Sequence, residues 1–177
     1  MPRLETARLP GVLQPDWPAP PGVQALFTTR AGGVSQVPFE TLNLGDHVGD
    51  DPQAVAANRM VLASALGVRP VFLQQVHGTE VALLSATTPD STQADASLST
   101  KPGLACTVMV ADCLPVLFTD TRGSQVAAAH AGCRGLPGPA GRPNSDGPAR
   151  LGPALLSGPA RLPGSAGARL GPAKTSF

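Results

Sequence analysis

The chain is 177 residues long with a formal net charge of +1, which suits one domain with a sizeable core and gives no excess of charge to draw it to nucleic acid, an anionic membrane or an acidic partner. A single tryptophan, no tyrosine and 3% aromatic residues in all leave little for a base-stacking surface. Three cysteines at irregular spacings do not describe a disulfide framework and suit a reducing compartment.

The first residues, Met1-Pro2-Arg3-Leu4-Glu5, lack the apolar run of a signal peptide, and no stretch reaches the length of a membrane span. The chain therefore reads as soluble and cytoplasmic. Residues 23–29, Val-Gln-Ala-Leu-Phe-Thr-Thr, predict a strand entered from a proline-rich linker. Asp51-Pro52 then opens a helix, with Asp51 as its N-cap and Pro52 at the first helical position. Val55, Leu62 and Leu66 fall near one face of that helix, and Gly67 is its stop. Residues 71–76 and 80–84 predict successive strands that meet at His77-Gly78. The apolar run 104–110 is of buried-strand type, and 116–118 is a shorter strand beyond Cys113-Leu114-Pro115. The turn Asp120-Thr121-Arg122-Gly123 leads to a third strand, 125–129, which ends at His130.

After Leu136 the composition changes abruptly. Residues 137–177 are dominated by Gly, Pro, Ala, Leu and Arg, and Gly147-Pro148-Ala149-Arg150-Leu151 recurs as Gly158-Pro159-Ala160-Arg161-Leu162. Closely spaced prolines break helices and strands alike, and such a tract buries too little apolar surface to offset its ordering entropy. The expectation is a domain over 1–136 and a disordered low-complexity tail over 137–177. The tail reads as a flexible interaction segment, as a solenoid (which its prolines disfavour) or as a shifted reading frame in a GC-rich gene.

Three side chains at predicted strand ends are capable of holding a metal: His77, Cys113 and His130. Two imidazoles and a thiolate suit zinc, and three protein ligands leave a fourth position open. Against this stands the plainer reading, in which Cys113 is a small hydrophobe and the histidines are satisfied in core or surface. Asp112 either orients a ligand or caps a turn. Arg30, before Ala31-Gly32-Gly33, either holds an anion or belongs to a solvated loop. His47 reads as a loop residue, Cys106 as core, and Asp50-Asp51 as capping for the helix.

The motifs in order are Thr28-Thr29-Arg30-Ala31-Gly32-Gly33-Val34-Ser35, the run from Leu42-Asn43-Leu44-Gly45 to Asp51, Asn58-Arg59, and Gln74-Gln75-Val76-His77-Gly78. They continue through Ala94-Asp95-Ala96, Ala111-Asp112-Cys113-Leu114-Pro115 and Ala129-His130-Ala131-Gly132. Over roughly residues 17–136 the chain thereby resembles the laccase-domain, or polyphenol-oxidase-like, family of purine nucleoside phosphorylases. The resemblance implies an α/β fold, a mixed-sheet sandwich that is incomplete here and followed by the Gly/Pro-rich tail. It implies zinc on His77, Cys113 and His130, with Arg30 and Cys113 as catalytic candidates and Arg30, Ser35 and Asn43 as substrate-binding ones. The implied substrates are phosphate and a purine nucleoside (adenosine, inosine or methylthioadenosine), with adenosine deamination as a further activity. The family's usual Trp is replaced by Cys133, and 137–177 stand where the family continues with further elements. Two other readings stay open: a non-catalytic product that keeps the ligands, and a copper-dependent phenol oxidase, which three histidines supply poorly.

Overall fold

The computed structural model describes residues 9–132; Cys133 and the tail expected over 137–177 lie outside them. The fold is mixed α/β, with one helix and eight short strands among the described residues. Helix α1, Pro52–Leu66, has the predicted ends. The Asp51 carboxylate accepts from Gln53 N–H at 3.0 Å, Pro52 occupies the first turn, and Gly67 adopts the left-handed conformation, donating its N–H to Ala63 O at 3.0 Å. These are the local rules of helix capping. Val55, Asn58, Leu62 and Ala65 are buried, and Leu66 packs half-buried at the margin of the core. No helix among the described residues is long and apolar enough to cross a membrane.

The strands are β1 (Arg69–Val71), β2 (Leu73–Gln74), β3 (Val81–Leu83), β4 (Thr92–Gln93), β5 (Ala96–Ser99), β6 (Leu104–Cys106), β7 (Leu114–Thr119) and β8 (Val126–Ala131). β1 pairs with β6 and β2 with β4, each in parallel. The remaining four form one mixed sheet in the order β3-β5-β8-β7, with β3 and β5 parallel and the other pairs antiparallel. Leu9, Leu42, Leu62, Ala65 and Phe72 form the core beside α1. The Arg59 guanidinium lies 4.3 Å from the centre of the Phe72 ring, a cation–π contact that lets a charged residue of the helix flank that core.

Besides the run 71–76, which breaks at Phe72 between β1 and β2, three expectations change. Residues 23–29 form no strand; a single bridge joins Leu13 and Phe27, through N–H···O bonds of 2.9 and 2.8 Å. The run 104–110 is a strand only as far as Cys106. Beyond it, the Gln75 side-chain amide takes a neighbouring strand's place, donating to Met109 O and accepting from Met109 N–H, both at 2.8 Å. The third difference is β5, which lies between two neighbours in the sheet and has no apolar run to announce it. Its residues Ala96, Ser97 and Ser99 are all buried.

The loop between Arg30 and Asp50 carries no strand, and a helix residue organises it. Asn58 is fully buried. Its Nδ2 lies 2.8 Å from Ser35 Oγ, 3.1 Å from Thr41 O and 2.8 Å from Asn43 O, while its Oδ1 accepts from Val34 N–H at 2.9 Å. Gly33 is required here, because a Cβ would come within 2.3 Å of Thr41 O and 2.4 Å of Asn58 Oδ1. Asp50 closes the loop, accepting from Ser35 Oγ at 2.6 Å and from Asn43 Nδ2 at 2.9 Å.

Removing Asn58 orphans several polar groups at once, each costing about 1–3 kcal/mol. Asn58→Ala is expected to destabilise the fold by about 2–4 kcal/mol in urea unfolding; a cost below about 1 kcal/mol would contradict the role given to it. The hydrogen bond from Ser35, then that from Asn43, holds the Asp50 carboxyl below its ordinary range. A depressed folded-state pKa contributes stability that is present above the unfolded value of about 3.9 and is lost as pH falls through the folded one. Melting temperatures followed from about pH 6 to about pH 3 should therefore fall less steeply for Asp50→Asn than for the parent chain. An unchanged acid limb would refute the assignment.

Candidate metal centre

The antiparallel pairing of β7 and β8 sets Pro115 opposite His130. Cys113 lies in the bend just before β7, the strand that carries Pro115. The third residue, His77, comes from the loop before β3, whose parallel pairing with β5 brings that loop to the same end of the sheet. One ligand atom from each of His77, Cys113 and His130 lies within 4.8 Å of the others. Cys113 Sγ is 3.6 Å from His77 Nε2, and the two imidazoles meet edge to face with ring centres 4.6 Å apart. Residues spread over more than fifty positions in the sequence thus converge.

The donor set, two imidazoles and a thiol, could hold a metal ion. Bonds of about 2.0–2.3 Å in tetrahedral geometry separate ligand atoms by roughly 3.3–3.8 Å; the Cys113–His77 pair at 3.6 Å falls in that range, while the set as a whole is gathered within 4.8 Å. The site is graded in exposure, with His130 buried, Cys113 half-buried and His77 exposed. An ion there would be anchored from below and reachable from above. A broad cleft of ≈ 1980 Å³ includes all three in its wall, together with Arg30, Asn43 and His47.

Asp95, buried at 2% exposure, connects the elements that bring these ligands. Its Oδ1 accepts from His77 N–H at 2.8 Å and from His130 Nδ1 at 2.9 Å. Oδ2 accepts from Val76 N–H at 3.2 Å and from Gly78 N–H at 2.7 Å. Burial opposes its ionisation, but these hydrogen bonds, His130 foremost, outweigh burial and bring its pKa below the ordinary carboxylate value. Of the two roles open to Asp112, orienting a ligand or capping a turn, the first is taken by Asp95, which makes these bonds, while Asp112 is exposed. The signal available in the sequence was one acid among small and apolar residues, Ala94-Asp95-Ala96.

The other expected site residues divide. Arg30 is exposed on the cleft wall, its carbonyl fixed by the Thr41 and Leu42 N–H groups. Asn43 also faces the cleft, but its amide is engaged by Gly45 and Asp50. Ser35 is buried at 2% exposure, with its hydroxyl between Asp50 and Asn58, so it braces the loop from behind. His47 lies beside Asp46 at 3.6 Å, outside the metal set. Cys106 donates to Val126 O at 3.4 Å, and desolvation pushes its thiol pKa up, as suits a cysteine that packs and does not react.

Gly132 packs directly on the ligands. A Cβ on it would come within 2.5 Å of His77 Cδ2 and 3.4 Å of His130 Cε1. Gly132→Ala is expected to displace the His77 ring and weaken zinc binding by about tenfold or more while the chain still folds. Competition with a chromophoric chelator measures this, and parental affinity would show that the ring has room to move.

Comparison with known proteins places the chain. A purine nucleoside phosphorylase of Pseudomonas aeruginosa is 59% identical over 124 residues, covering 70% of this chain and 50% of that protein. One from Escherichia coli is 53% identical over 127 residues, covering 71% and 52%. The fold matches the crystal structure of a Neisseria meningitidis protein with a TM-score of 0.68 at 50% identity, over 71% of this chain and 52% of the other. A Bacillus licheniformis hypothetical protein matches with a TM-score of 0.56 at 33% identity, over 63% and 46%. The chain spans about half the length of the curated relatives it matches. Over residues 24–140 it also matches the family model described as multi-copper polyphenol oxidoreductase laccase, and it belongs to that family.

Proposed function

We propose that the chain takes part in zinc-dependent phosphorolysis of purine nucleosides. The observation that carries this reading is the convergence of His77, Cys113 and His130 within 4.8 Å in the wall of a broad cleft, in a chain whose relatives are named purine nucleoside phosphorylases. Phenol oxidation through a copper cluster is disfavoured, since this chain has three histidines in all and such clusters need many imidazoles.

His77 and His130 would hold the ion through ring nitrogens and Cys113 through its thiolate. A bound zinc would supply Lewis acidity, the capacity to polarise an oxygen or lower the pKa of a water. Arg30 meets phosphate as a planar, permanently charged fork beside the small residues Ala31-Gly32-Gly33. Its fixed carbonyl keeps that segment against the loop that Asn58 organises. Ser35 and Asn43 serve the same surface by holding its backbone in place. In the reaction, a phosphate oxygen bonds to ribose C1′ as the C1′–N bond breaks. The purine leaves with that electron pair and takes up the proton given by phosphate. Adenosine deamination is the second activity proposed, since three protein ligands leave a position for water.

The zinc-loaded chain should convert adenosine to adenine only when phosphate is present. Inosine without phosphate dependence would assign it to deamination, and neither product would sink the catalytic reading for this chain. His77→Ala, Cys113→Ala and His130→Ala should each abolish both bound zinc and turnover. Arg30→Ala should raise KM for phosphate by about tenfold or more, the loss of a charged hydrogen bond, with zinc content unchanged.

A further inference from the structure

The Asp95 carboxylate is saturated. Its two oxygens take four donors, three of them the successive backbone N–H groups of Val76, His77 and Gly78, the fourth Nδ1 of His130. Three consecutive N–H groups curled around one anion form a nest. His77, at its centre, has φ 59°, a left-handed conformation disfavoured for a residue that carries a Cβ. The carboxylate that satisfies those N–H groups holds the loop in that shape. Its other contact acts on a ring nitrogen. An ionised carboxylate only accepts hydrogen bonds, and a neutral imidazole has one N–H. The proton of His130 therefore sits on Nδ1, which leaves the lone pair of Nε2 for a ligand.

We propose that Asp95 is the positioning residue that presets the metal centre, fixing the tautomer of His130 and the presentation of His77 through one carboxylate before an ion arrives. This rests on the metal reading proposed above and extends it to a residue outside the ligand set. The two functions share an anchor: β5 leads directly out of Asp95, and the Asp95 carbonyl accepts from His130 N–H at 2.7 Å. Side chain and backbone of one residue thus hold β8 and the His77 loop together. An asparagine of equal size cannot substitute. It keeps one acceptor oxygen and turns two amide hydrogens against N–H groups that are themselves donors.

Two readouts test this without turnover. Nitrogen-15 NMR of the metal-free full chain, labelled in histidine, should show His130 as the Nδ1-protonated tautomer; the Nε2-protonated form would overturn the proposal. Zinc competition should show Asp95→Asn about 10–100-fold weaker than the parent chain, with Asp112→Asn unchanged. Parental zinc affinity in Asp95→Asn would also overturn it. If Asp95→Asn does not fold, the tautomer in the parent chain decides alone. A chain that binds zinc in this way yet performs no phosphorolysis sinks the functional reading and leaves this one standing. A parent chain that binds no zinc overturns both.

Discussion

A carboxylate buried in the middle of a sheet end is costly unless every oxygen lone pair finds a donor. Asp95 meets that condition with four donors from two separate parts of the chain, and much of the local architecture follows. The loop before β3 is folded over the carboxylate, β8 is drawn to β5 on its other side, and the register of both is fixed at that point. A loop held by a neighbouring strand is free to slide by two residues. One wrapped around a single anion is not. His77 and His130 consequently meet edge to face at 4.6 Å, an approach that Gly132 permits by having no side chain.

Asn58 does the corresponding work for the loop that brings Arg30 and Asn43 to the cleft. It sits in the buried stripe of α1 among Val55, Leu62 and Ala65, where an apolar residue would be the default. Its amide instead anchors Val34, Ser35, Thr41 and Asn43, and Asp50 ties the far end of the same loop. The helix thus gives up part of its apolar face to organise a segment that has no strand partner. Strands of two to six residues supply few ladder hydrogen bonds, so buried side-chain carboxylates and amides supply the rest. The segments that surround the cleft owe their shape to those few side chains.

The chemistry available to the cleft follows from which donors remain unspent. Ser35 and the Asn43 amide are engaged in holding the loop, whereas the Arg30 guanidinium is exposed and its backbone fixed. His77 is exposed and His130 buried, so the cluster is reachable from the His77 side.

What the sequence determined was local. Asp51, Pro52 and Gly67 set the ends of α1 because capping acts within a few residues of chain. His77, Cys113 and His130 were legible as metal-capable because ligand chemistry belongs to the residue type and each stands at or near a strand end. Tertiary structure decided everything that depended on pairing between distant segments. β5 had no apolar run to announce it, yet it is enclosed because β3 and β8 flank it. The run 104–110 looked like a longer strand than it is, because a Gln75 amide from 34 residues away caps its continuation. The Ser35 hydroxyl lies between Asp50 and Asn58, a setting made by residues 15 and 23 positions away. Asp95 and His130 stand 35 residues apart, and no local pattern encodes that bond. It exists because sheet register, a long-range property, sets them side by side.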